Sequence, residues 1–252
     1  MPTLNNKPFF LILFCLCASS AFAQELTIAV AANARYAIEE IAKQFQDSTG
    51  IATRCVVASS GKLSAQIRSG APFDVFLSAD TTYPAKLIQD GFAVAPLHLY
   101  AKGELILWST TAGSSEQLRE RFKDPATRIA LANPRTAPYG RAAEDIMSAT
   151  FTSKSNSPKR IYGSSISQVN QYVFSGVVDA GFTAKSTLYP LSAKASGCWI
   201  DFPKGSYSPI VQGAVLIHPK KQASVAQAQE FLTYLSSSEA RSILQKFGYH
   251  FE

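Results

Sequence analysis

The stretch LTIAVAAN, Leu26 to Asn33, constrains the fold more than any other part of the chain. Leu26, Ile28 and Val30 alternate with small residues, and no charge interrupts them. Such a run marks a strand buried on both faces of a parallel sheet. The chain then turns at Ala32-Asn33. Ile38, Ile41 and Phe45 recur at helical spacing until Thr49-Gly50 ends the helix. A helix N-terminus therefore stands at the carboxyl end of a central strand. Open α/β sheets bind ligands there, and the free N–H groups of a first helical turn favour anions. The same device, an apolar run followed by a small polar turn and a helix start, recurs at Ser59-Ser60, Pro138-Tyr139 and Ser165-Ile166.

Ahead of this strand, Lys7, the apolar run Phe9 to Cys17 and the small residues Ala21-Phe22-Ala23 read as a secretory signal peptide cleaved after Ala23. The run is too short to span a bilayer, and Phe14-Cys15-Leu16 before Cys17 is a poor lipidation box. Losing Lys7 leaves 23 basic and 18 acidic residues, with Lys159-Arg160 and Lys220-Lys221 the only basic pairs. That pattern describes a solvated surface and argues against nucleic acid as a partner. Cys55 and Cys198 remain after cleavage. Export permits a disulfide between them, and two buried free thiols are the alternative. His98, His218 and His250 are far apart and have no ligand partner at metal spacing.

Further along, a strand over Ala52 to Val57, a helix over Lys62 to Ser69, a strand over Val75 to Leu77 and a helix over Thr81 to Asp90 capped by Asp80 continue a β-α alternation. His98 to Ser109 reads as long strand material around Lys102-Gly103, a crossing into a second lobe. Four strands follow at Ile129 to Ala132, Arg160 to Tyr162, Ala180 to Thr183 and Cys198 to Phe202, with helices at Ser115 to Phe122, Gly140 to Ala149 and Ile166 to Ser175. Val211 to Ile217 returns to the first lobe, and helices Val225 to Leu235 and Glu239 to Phe247 close the chain. The expected organisation is a signal peptide over 1–23, a first lobe from 24–103 and 213–252, and a second lobe from 104–212.

Catalytic and nucleotide motifs are missing. Ser59-Ser60-Gly61-Lys62 is not a phosphate loop, because Val56 stands where its first glycine belongs and Leu63 where magnesium needs a hydroxyl. No Gly-x-Ser-x-Gly elbow occurs. The pairs Glu39-Glu40 and Glu144-Asp145 are adjacent on helices and do not face one another. Taken singly, Asn33 reads as an N-cap, the Ser59-Ser60 turn as ordinary capping, Tyr139 as a half-buried aromatic and Ile166 as core. Four such turns in one exported α/β chain point to an anion-binding cleft.

The stretches AVAANARYAIEEIAKQF, VVASSGKLSAQIRSGAPFDVFLSAD, LANPRTAPYGRAA, SSISQV, AGFTAKS and VAQAQEFLTYLSSSEARSILQKFGY carry a resemblance that runs along nearly the whole mature chain. In them the sequence resembles the periplasmic molybdate-binding proteins of ATP-driven oxyanion importers. The resemblance implies an α/β, two-lobe periplasmic binding protein-like fold, with a parallel sheet in each lobe and a hinge between. It implies a receptor rather than an enzyme, without a cofactor, acting as a periplasmic monomer that delivers molybdate or tungstate to a membrane permease and its ATPase. The family's anion contacts fall on Asn33, Ser60, Tyr139 and Ile166, which touch the oxyanion and are not direct metal ligands. Ala184 stands where some members carry a Tyr, which leaves Tyr139 to supply that hydroxyl.

None of these contacts is charged. Helix N-termini and hydroxyls suit a dianion that only accepts hydrogen bonds, whereas phosphate keeps a proton at neutral pH and requires an acceptor carboxylate. The alternatives are a receptor for sulfate or another oxyanion, a secreted hydrolase using Ser60 beside Lys62, and a ligand-sensing module for a membrane kinase.

Overall fold

The computed structural model describes residues 25–189, 197–203, 205–218 and 223–251, so the expected signal peptide lies outside the described residues. The first lobe begins with β1 (Leu26–Ala31), α1 (Arg35–Thr49), β2 (Thr53–Ala58), α2 (Ser60–Arg68), β3 (Val75–Ser78), α3 (Thr82–Gln89) and β4 (Ala93–Gly103). After Glu104 come β5 (Leu105–Ser109), α4 (Ser115–Lys123), β6 (Arg128–Ala132), α5 (Pro138–Thr150), β7 (Lys159–Gly163), α6 (Ile166–Phe174), β8 (Ala180–Ala184) and β9 (Cys198–Asp201). The chain ends with β10 (Ile210–Ile217), α7 (Ala223–Leu235) and α8 (Ser238–Lys246).

Two five-stranded sheets result, in the orders β2-β1-β3-β10-β4 and β7-β6-β8-β5-β9. In the first, β1 lies parallel to β2 and β3, but β10 runs antiparallel to both β3 and β4. In the second, β6 is parallel to β7 and β8, while β5 is antiparallel to β8 and β9. The sheets are therefore mixed, a correction to the expected parallel sheet in each lobe. The reason is that β10 and β5 enter their sheets from the other lobe, and a strand crossing over has no βα unit to return it in the parallel sense.

All six residues of β1 are buried, as the uninterrupted apolar run requires. On α1, Ile38, Ile41 and Phe45 are inaccessible to solvent, and Phe45 meets Phe231 of α7 edge to face at 5.3 Å. Removing a ring such as Phe45 would cost about 3–5 kcal/mol. Gly50 stops the helix at φ 76°, with its N–H on the Gln46 carbonyl at 2.8 Å. In the second lobe Phe122, Phe182 and Phe202 pack together. Cys55 and Cys198 are free thiols in different sheets, and burial pushes the Cys55 thiol up to about 12. Among the described residues no helix is long and apolar enough to cross a membrane.

Candidate functional site

The four turns singled out in the sequence converge. Asn33, Ser60, Tyr139 and Ile166 line one small cavity of about 10 Å³ between the two lobes, with Ala31, Ala32, Ser59, Ala79, Ala137 and Pro138. That is about the room of a single water-sized probe, so the lobes are packed tightly here, and organic ligands need far more space. No ionisable carboxylate, amine or imidazole lines it. The first lobe contributes the carboxyl end of β1 and the start of α2, and the second lobe contributes the starts of α5 and α6.

The N-termini facing this cavity differ from those of α4 and α8. Helices α4 and α8, away from it, carry a Ser side chain that accepts an N–H and an acid in the first turn, Glu116 and Glu239. Around the cavity, the short 3-10 turn Ala32–Ala34 that leads into α1, and the helices α2 and α5, have no side-chain cap, and neither they nor α6 has an acid in the first turn. Only α6 is capped, by Ser165 accepting from the Gln168 N–H. First-turn N–H groups are orphan donors unless something accepts from them, and each terminus carries about half a positive charge. Three uncapped termini and a fourth thus present donors and positive potential to one point while acids are kept away.

Each residue has a definite arrangement. Ser60, 1 % exposed, is the first residue of α2, two residues earlier than the helix start expected from sequence. Its Oγ accepts the Ala79 N–H at 3.0 Å, which leaves its own proton to donate. Ser59 precedes it with a buried Oγ that makes no hydrogen bond. The sequence reading placed Ser59 in the turn but not among the contacts, and the only available signal was its place before the helix. Ile166 is the first residue of α6 and Tyr139 the second of α5, whose N1 position is filled by Pro138. Pro138 has no N–H to satisfy and its φ is set for a helix start. The expected start at Gly140 was two residues late.

Asn33 is held by a buried network. Its amide nitrogen donates to Gln212 Oε1 at 2.8 Å and Tyr249 Oη at 2.9 Å, and its carbonyl accepts from Tyr249 and, across the lobes, from Ser186 Oγ at 2.9 Å. Both amide protons are engaged, so what Asn33 leaves for a guest is its backbone. Burial, with neighbouring phenols, holds Tyr100 and Tyr139 well above the usual tyrosine value, and burial pushes Tyr249 up to about 12. Ala184 pairs with Leu105 and is not part of the cavity lining.

The lobes are closed over the cavity. The Gly61 N–H donates to the Thr136 carbonyl at 2.8 Å and Tyr83 Oη to the Arg135 carbonyl at 3.1 Å. Arg141 of α5 pairs with Asp80, whose Oδ1 also accepts the Tyr83 N–H at 3.2 Å; the N-cap of α3 is Thr81, one residue after the expected Asp80. That pair lines a neighbouring cleft. The hydrolase alternative lacks its base: Lys62 is exposed, Ser60 Oγ is bonded to Ala79, and among the described residues no hydrogen bond joins Ser60 to Lys62. No cluster of three metal-ligating side chains occurs among the described residues either.

Two α/β lobes joined by strand crossings and closed over a small, neutral, donor-rich cavity define a solute-binding protein. The chain belongs to the bacterial extracellular solute-binding protein family, whose model matches residues 26–250. It is 36 % identical to the molybdate-binding protein ModA of Azotobacter vinelandii over 236 residues, 93 % of each chain. It is also 36 % identical to ModA of Rhodobacter capsulatus over 233 residues, 92 % of this chain and 90 % of that one. The solved Azotobacter vinelandii periplasmic molybdate-binding protein superposes with a TM-score of 0.80 at 32 % identity, covering 90 % of this chain and 99 % of that one. The sulfate-binding protein SubI of Mycobacterium tuberculosis superposes at 0.73 with 12 % identity, over 90 % of this chain and 86 % of its own, a likeness of fold alone.

Proposed function

We propose that this chain captures molybdate, or its near-isostere tungstate, in the interlobe cavity and delivers it to the permease and ATPase of an importer. It works as a periplasmic monomer after export. The observation that carries the reading is the set of helix N-termini around the cavity, free of acids and three of them uncapped. A dianion that only accepts hydrogen bonds can occupy that point, taking backbone N–H groups near Asn33, Ser60, Tyr139 and Ile166 and the hydroxyl protons of Ser59 and Ser60. Each terminus contributes roughly 0.3–2 kcal/mol toward an anion, more when buried. Hydrogenphosphate brings a proton that needs an acceptor, and no carboxylate lines the cavity. The 36 % identical relatives named for molybdate support the choice among oxyanions.

Calorimetry with molybdate, tungstate, sulfate and phosphate on the protein lacking residues 1–23 tests this. Tight binding of the first two and rejection of phosphate is the expected result. Preference for sulfate would reassign the ligand, and silence toward all four would end the receptor reading.

A further inference from the structure

Tyr139 reaches two places at once. Its residue lines the anion cavity at the start of α5, in the second lobe. Its hydroxyl stands over Gly103, the last residue of β4, where the chain leaves the first sheet. A Cβ built on Gly103 would lie 2.0 Å from Tyr139 Oη and 3.2 Å from its Cζ. The hydroxyl thus fills the space of the missing side chain. Gly103 is not among the glycines with positive φ, so its backbone conformation does not demand glycine; the approach of Tyr139 does. The hydroxyl is buried and makes no hydrogen bond. Burial, and the phenols of Tyr249, Tyr207 and Tyr100, hold its value up, and Asn33 spends both amide protons on Gln212 and Tyr249.

We propose that Tyr139 is the positioning residue that couples anion capture to closure of the hinge. In the closed state its ring bridges from the cavity to the crossing strand, and its hydroxyl seats on Gly103 rather than on the anion. With the Tyr139 hydroxyl in place, this closed packing needs a bare Cα at that position. This rests on the oxyanion reading above. In an open state, with α5 withdrawn from β4, position 103 has no steric demand.

The test is a double-mutant cycle with molybdate as probe. Dissociation constants, and the radius of gyration with and without molybdate, are measured for the wild-type chain, Gly103→Ala, Tyr139→Phe and the double variant. Gly103→Ala should weaken molybdate binding about tenfold or more and abolish compaction, the scale of forcing a methyl group into a filled site. In the Tyr139→Phe background, without the hydroxyl, the same change should cost less than about threefold and compaction should return. Equal losses in both backgrounds, or no loss in either, would overturn the coupling. So would a Gly103→Ala protein that melts far below wild type without ligand, because the contact would then be present in the free state. If the wild-type chain binds none of the anions, the oxyanion reading fails and the coupling with it; if wild type binds but the cycle shows no interaction, only the coupling fails.

Discussion

Ser60→Ala separates the two tasks its hydroxyl performs. Within the first lobe, where the bond does not depend on closure, Ser60 Oγ accepts the Ala79 N–H at 3.0 Å, and both residues are buried, Ser60 at 1 % and Ala79 at 2 % exposure. Removing the oxygen strands that N–H, at a cost of about 1–3 kcal/mol. For a chain of this size each kcal/mol lowers the melting temperature by about 2–4 °C. The proton of the same hydroxyl is free to donate to the guest. A hydrogen bond to a charged group is worth about 1.5–3 kcal/mol, so the dissociation constant for molybdate should rise roughly 10- to 150-fold. The backbone N–H at position 60 survives the substitution, which is why the loss is partial. Calorimetry reads the affinity, and differential scanning calorimetry of the ligand-free protein reads the stability. A melting temperature that falls while the dissociation constant stays within about twofold of wild type would refute the second role. Ser60 would then be a structural brace for Ala79 and nothing more.

Affinity should be nearly flat between pH 6 and pH 9, because no group lining the cavity titrates there and burial holds the Tyr139 phenol well above its ordinary value; a tenfold change in calorimetry would reveal a contact of another kind. Stability should behave differently at high pH. The folded state raises the phenol values of Tyr100, Tyr139 and Tyr249, the last to about 12, so the stability they contribute is fully present below about pH 10. It is lost as the pH rises through the folded values, since the unfolded chain then binds fewer protons, and the melting temperature should fall between pH 10 and pH 12. Molybdate should lower the radius of gyration in small-angle scattering, because a guest touching both lobes selects the closed form. It should also add about 2.7 kcal/mol of stability at a hundredfold excess over the dissociation constant; stabilisation without compaction would mean the free protein is already closed.

Local pattern carried much of the fold. The unbroken apolar run of β1, the spacing of Ile38, Ile41 and Phe45, and Gly50 at the helix end can be read without the structure, and the four turns singled out in the sequence line one cavity. Strand direction was not legible. Val211 to Ile217 is buried almost throughout, and such a run looks the same whether it enters the sheet parallel or antiparallel. The start of β4 at Ala93 was missed because Pro96 argues against a strand, yet β4 is an edge strand, where a missing N–H costs little. The Asn33–Gln212–Tyr249 network was also invisible. Its members lie 179 and 216 residues apart from Asn33, and no local pattern joins them.

The order of strands has a consequence for how the chain assembles. Strands β5 to β9 form a complete sheet from the continuous stretch Leu105 to Asp201. The other sheet is broken in sequence: β10 inserts between β3 and β4, so β4 has no partner strand until β10, from Ile210 on, arrives. Pairings across such separations close late, since the entropy of the long loop must be overcome first. Pulsed hydrogen exchange during refolding should find protection in β5, β6 and β8 before β4, and the reverse order would contradict the topology argument. A chain delivered N-terminus first completes its second sheet before its first, and β1, the earliest strand to emerge, waits for one of the last to finish the sheet it began.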